Sequence, residues 1–289
     1  MHSELLLDFL AANTLLKDVI ICCTDLFDPS DCAVISLDHL RQWSLIIGYT
    51  AQNLLQCLQL PFAPTDLFPD HMPEGELLWE LLPSSLHNLP GIAETSLLRY
   101  DFTTELHLIA IGSNQAGGTI AVRGHRTQLL AGKPINLRPL NLGAVREIVV
   151  SSRTQPPASI WSRFRQAIQE MSCVETLAVG SRVPLHDLPT ILMVKDLLPN
   201  LSAITLVTPS LDEIAPFASS VIVRNGIPDA KRIEFLEILC PRFEEGLIAE
   251  ATKRPLEGHV GLVEVRSVQG VENVWVKSIK RSIEREFFR

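Results

Sequence analysis

The sequence lacks a basic stripe, is poor in aromatics and contains no long apolar run. Lys and Arg number 25 against 33 Asp and Glu, giving a net charge of −8 over 289 residues. The basic residues are scattered until the last segment, which leaves no track for a phosphate backbone, so nucleic acid is not an expected partner. No stretch reaches the roughly 18 consecutive apolar residues that a spanning helix needs, so no membrane span is expected. The opening residues Met1–Leu16 have no basic n-region, and Glu4 and Asp8 interrupt them. Leu5, Leu6, Phe9 and Leu10 fall at helical spacing, which predicts an amphipathic helix rather than a signal peptide.

The six cysteines, Cys22, Cys23, Cys32, Cys57, Cys173 and Cys240, form no CxxC pair and no zinc-ligand spacing. They are expected to be reduced, mostly buried thiols in a cytoplasmic or nuclear protein. There is also no GxSxG elbow, HExxH helix, phosphate-binding GK[ST] loop or EF-hand loop. His186-Asp187 is a close acid–imidazole pair. Neighbours on a helix point apart, so it reads as a solvated helix start. No catalytic residue, cofactor or metal site is expected.

What is present is Leu. Hydrophobic residues make up 46% of the chain and aromatics only 6%. A pattern of apolar, two residues, apolar, one residue, apolar recurs at Leu16-Val19-Ile21, Leu40-Trp43-Leu45, Val145-Ile148-Val150, Val174-Leu177-Val179, Leu201-Ile204-Leu206 and Val260-Val263-Val265. Ile92-Thr95-Leu97 fits with Thr at the middle position, and Val221 with Val223 forms a degenerate copy. The last two apolar positions lie two apart, so a strand turns both to one face, and stacking such strands in parallel buries a continuous ladder. Middle positions recur after 24, 29 and 27 residues at Val19/Trp43, Ile148/Leu177 and Leu177/Ile204. Gaps of 53 and 59 residues follow Thr95 and Ile204. The pattern is that of a leucine-rich repeat, used irregularly.

Helical spacing between copies predicts outer helices over 52–60, 74–86, 159–171, 185–198 and 230–253, the last kinked at Pro241. Residues 105–111 and 118–123 alternate around a Gly-rich link, which predicts a β-hairpin. A C-terminal helix over 270–288 would cap the array. The expected fold class is therefore α/β: an irregular leucine-rich-repeat-like solenoid with parallel strands and outer helices, forming a single elongated domain over 1–289. Its parts would be N-terminal units over 1–100, a hairpin insertion over 101–135, C-terminal units over 136–269 and the capping helix.

Three stretches carry a family resemblance: Leu6–Asn13 with Leu16–Ile21, Leu142–Val150 with Phe164–Ala167 and Val174–Leu177, and Phe235–Leu239 through Val263–Arg266 to Val271–Val276. They resemble the leucine-rich region of fungal, mushroom-type F-box proteins. In that family an F-box segment docks to a Skp-type adaptor of a ubiquitin ligase and the repeats present a substrate. Here the chain begins at Met1 within a repeat-like helix, so the F-box is missing and a Skp-type adaptor is not expected as a partner. The resemblance implies a non-catalytic protein-interaction module of the substrate-recognition kind, with a protein partner on the strand face opposite the core. The residues expected there are Glu147, Val149, Thr176, Ala178, Ala203, Thr205, Glu264 and Arg266. The alternatives are an unrecognised α/β enzyme and a decayed paralogue without function.

Overall fold

Alternating apolar positions become parallel strands wherever a helix or turn can carry the chain back to the same end of a sheet. The computed structural model describes residues 3–23, 33–47, 51–60, 65–69, 87–89, 95–102, 106–111, 120–125, 141–152, 165, 168–180, 188–208, 214–240, 250 and 253–267. The elements are α1 (Ser3–Ala12), β1 (Asp18–Cys23), β2 (Ile35–Ser36), β3 (Gln42–Ile47), α2 (Ala51–Gln56), β4 (Leu58–Gln59), β5 (Thr65–Pro69), β6 (Leu97–Phe102), β7 (Leu106–Ile111), β8 (Ile120–His125), β9 (Glu147–Ser152), β10 (Thr176–Val179), α3 (Leu188–Leu192), β11 (Ala203–Val207), α4 (Ile214–Asn225), β12 (Phe235–Cys240) and β13 (Leu262–Ser267). The result is a mixed α/β structure with parallel strands and, among the described residues, few and short helices. The chain divides into two compact units: Met1–Leu97 with Thr104–Leu142, and Leu98–Thr103 with Gly143–Arg289.

In the first unit, β1, β3, β5 and β8 pair in parallel in that order. Val19 lies beside Trp43 and Ile21 beside Leu45, as the repeated pattern requires. Trp43 is fully buried, and among the described residues its indole N–H has no hydrogen-bond partner. The hairpin forms as expected: β7 and β8 run antiparallel, from Leu106 opposite His125 to Ile111 opposite Ile120. It is not an appendage, because β8 continues the parallel sheet beside β5. β2 and β4 make a separate two-stranded parallel sheet. α1 buries Leu6 and Leu10 and exposes Leu5 and Phe9, and the Asn13 side chain closes it by donating to the Phe9 carbonyl at 2.7 Å.

The second unit carries a sheet in the order β6-β9-β10-β11-β12-β13. Pairing is parallel from β9 through β13, with Ile148, Leu177, Ile204, Leu236 and Val263 in one register row. The entry residues Val145, Val174, Leu201, Ile233 and Val260 are all buried. The backbone repeats as well. The carbonyl of Arg146 accepts from the N–H groups of Glu175 and Thr176, that of Glu175 from Ser202 and Ala203, and that of Ser202 from Glu234 and Phe235; that of Glu234 accepts from Leu262. Gly261 occupies the equivalent position on the last strand, where a Cβ would stand 2.9 Å from the Glu234 carbonyl oxygen.

Two expectations exchange places. Val221 and Val223 do not form a strand copy; they lie in α4, which buries Ile214, Phe217, Ala218 and Val221 at helical spacing. The helix expected over 230–253 is instead strand β12 over its first half. Ile233, Leu236 and Leu239 mimic a helical stripe, yet Leu236, Ile238 and Cys240 alternate equally well, and the sheet decides between the two periods. Ile233-Leu236-Ile238 is thus a further copy of the motif, which splits the 59-residue gap into 32 and 27.

Other helices are shorter than expected. α2 ends at Gln56, and of the described residues within 185–198 only Leu188–Leu192 is helical, followed by turns into the left-handed Leu198. Within 159–171 only residues 165, 168–171 are described, of which 165 and 168 are helical. The helices expected over 74–86 and 270–288 lie outside the described residues. Reduced thiols fail at Cys57, which is disulfide-bonded; the buried Cys240 and the exposed Cys173 are outside any disulfide. Linear spacing gives no sign of which sulfurs folding brings within bonding distance.

Candidate interaction face

Alternation along β9–β13 sends every second residue away from the buried ladder. The register aligns these into two rows: Glu147, Thr176, Ala203, Phe235 and Leu262 in one; Val149, Ala178, Thr205, Glu237 and Glu264 in the other. With strands roughly 4.8 Å apart, each row spans on the order of 19 Å. All the residues expected from the sequence fall on this one face, with Arg266 just beyond Glu264.

The face is not uniformly open. Val149 is 1% exposed and so is withdrawn as a contact residue, and Val207 and Leu239, further along their strands, are buried too. Cover at this end of the strands cannot be read from a strand's own alternation. Thr176, Ala178, Ala203, Thr205, Phe235, Glu237 and Glu264 are half-buried, and Arg266 is exposed. The centre of the face therefore holds small side chains, with acidic residues toward each margin.

At the β12–β13 margin the charges form a network. Thr205 donates to Glu237 at 3.2 Å. The Arg266 guanidinium lies 3.5 Å from the other Glu237 oxygen and donates to Glu264. At the opposite margin, burial pushes the Glu147 carboxyl above the usual carboxylate range. Next to it Arg146 and Glu175 make an exposed ion pair at 3.7 Å. Sequence patterning alone misses Phe235 and Glu237, because Ile233, Leu236 and Leu239 also fit a helical stripe; the Ile233-Leu236-Ile238 motif is the signal that finds them.

A second group of polar side chains serves the scaffold. Arg224, fully buried on α4, donates Nη1 to the carbonyls of Leu192 and Leu197, both at 3.3 Å, and Nη2 to that of Leu198. Burial lowers its pKa. Asn225 donates to the His259 carbonyl at 2.7 Å and to that of Ile233, and accepts from the Ile233 N–H at 2.7 Å. These two consecutive residues satisfy turns that the sheet leaves without partners.

Among the described residues no group of three or more His, Cys, Asp or Glu is placed to hold a metal ion. Among them, too, no helix is long and apolar enough to cross a membrane. Compared with protein-family models, with curated proteins and with solved structures, the chain matches none.

Proposed function

We propose that the chain is a non-catalytic protein-interaction module, an irregular leucine-rich-repeat-like solenoid related to the substrate-recognition region of F-box ubiquitin-ligase receptors. The partner is a protein, held on the face of β9–β13. The reading rests on one observation: the central residues Thr176, Ala178, Ala203 and Thr205 are small and half-exposed, while carboxylates stand toward both margins. Small side chains let another backbone come close to the sheet, and the bounding charges set its register and orientation. The sequence motifs shared with F-box proteins supply the family link. A Skp-type adaptor is not part of the proposal, and neither nucleic acid nor membrane is a proposed partner.

The test is affinity capture with the full chain and with an Ala178→Arg/Thr205→Arg variant. Arginines at these half-exposed positions obstruct the face without entering the core. A stoichiometric protein recovered by the native chain and lost by the variant supports the module. A partner that ignores the substitutions places binding elsewhere and contradicts the proposal.

A further inference from the structure

The buried ladder of the second unit ends unfinished. Ile148, Leu177, Ile204 and Leu236 are buried, and so are Val150, Val179, Leu206 and Ile238 in the next row; their counterparts Val263 and Val265 on β13 are only half-buried. Leu262, at the start of the same strand, is 52% exposed. Among the described residues β13 is the terminal strand of the sheet. The Leu262 N–H bonds inward to Glu234, so by alternation the N–H and C=O groups of Val263, Val265 and Ser267 point away from β12. An edge whose outward backbone groups have no partner among the described residues, beside a half-open core, is a template for another strand.

The charges on β13 say which strand fits. Charged residues at an edge ordinarily deter pairing. Here Glu264 and Arg266 carry opposite signs two positions apart on one face. Consider a second copy of β13 laid antiparallel with Val265 opposite Val265 on a two-fold axis. Glu264 of each copy then stands directly opposite Arg266 of the other, and Val263 stands opposite Ser267. The outward backbone groups of Val265 make a hydrogen-bonded pair. The Glu264–Arg266 positions become non-hydrogen-bonded pairs, where side chains approach most closely. Arg266 keeps its contact with Glu237 from the outer side of that strand, while each Glu264 gains the other copy's guanidinium.

We infer that β13 is a self-association edge: two copies of this chain pair antiparallel about Val265, closed by reciprocal Glu264–Arg266 ion pairs. A two-fold contact of this kind is isologous and stops at the dimer. The inference does not depend on the face of β9–β13 binding a partner.

Sedimentation velocity of the full chain over a concentration series tests it, with circular dichroism to verify folding of each variant. The native chain is expected to form a concentration-dependent dimer. Arg266→Glu alone, or Glu264→Arg alone, puts like charges opposite each other twice and raises the dimer dissociation constant by about tenfold. The combined Glu264→Arg/Arg266→Glu exchange restores complementarity and returns the constant to the native value. A chain that stays monomeric throughout, as it would with this edge shielded from within the same chain, overturns the inference. So does a dimer indifferent to the single reversals, or one that the double exchange fails to restore. Should a single reversal not fold, the Glu264→Gln/Arg266→Gln chain decides: weaker dimerisation supports the pairing and unchanged dimerisation overturns it.

Discussion

At the residue scale, the most consequential side chains are those that satisfy buried backbone. Arg224 was invisible as a functional element in the sequence, since it follows a Val-Ile-Val run that resembles a strand. In the fold it gathers carbonyls from the end of α3 and the turn behind it, including that of the left-handed Leu198. Arg224→Met keeps much of the apolar stem but leaves those carbonyls without their donor. Chemical denaturation should show a loss of about 3 kcal/mol.

Glu147 behaves in the opposite sense. Its carboxyl is raised by burial, so between the unfolded value near 4.3 and the higher folded value the native state holds more protons than the unfolded one. Its ionisation therefore costs stability as pH rises through that window, and the cost is relieved below it. Glu147→Gln should raise the melting temperature at neutral pH, and the gain should vanish below about pH 4. A gain that persists in acid would show that the charge is not its source.

At the element scale, the repeated motif was legible wherever its three apolar positions had no rival period. Ile148, Leu177, Ile204 and Val263 were placed correctly because β-branched and Leu residues at spacing three then two have few helical alternatives there. β12 and α4 were exchanged because Ile233, Leu236 and Leu239 satisfy a helical stripe, while Val221 and Val223 satisfy a strand. Tertiary pairing settles such ties, and a single-sequence pattern does not contain it. Because β12 is a strand, its neighbouring residues should differ sharply in tolerance. Ile238→Asp places a charge in the buried ladder and should abolish cooperative unfolding, whereas Glu237→Gln should cost about 1 kcal/mol or less. A helix would not separate adjacent positions in this way. At the lead-in to β13, Gly261→Ala drives a Cβ against the Glu234 carbonyl. It should destabilise the second unit by about 1–3 kcal/mol, measured by denaturant titration.

At the scale of the whole molecule, the sequence conveyed the α/β class, the parallel ladder and the hairpin. It did not convey the division into two units. The division falls within the long gap after Thr95, where β7 and β8 join the sheet of the first unit, while Leu98–Thr103 joins the second. The candidate face was legible in outline, because alternation alone names the residues opposite a buried row. Its limits were not, since the cover over Val149, Val207 and Leu239 comes from outside the strands' own pattern. The face presents small residues edged by Glu147 on one side and by Glu237, Glu264 and Arg266 on the other.

Site-specific photo-crosslinking in cell extract tests the central claim most directly, with the photoreactive residue placed at Ala178 in one preparation and at the exposed Val223 on α4 in another. Partner binding on the open face predicts one dominant crosslinked protein from position 178, abolished by Thr205→Arg, and none from position 223. A crosslink from position 223 with none from position 178 would contradict it.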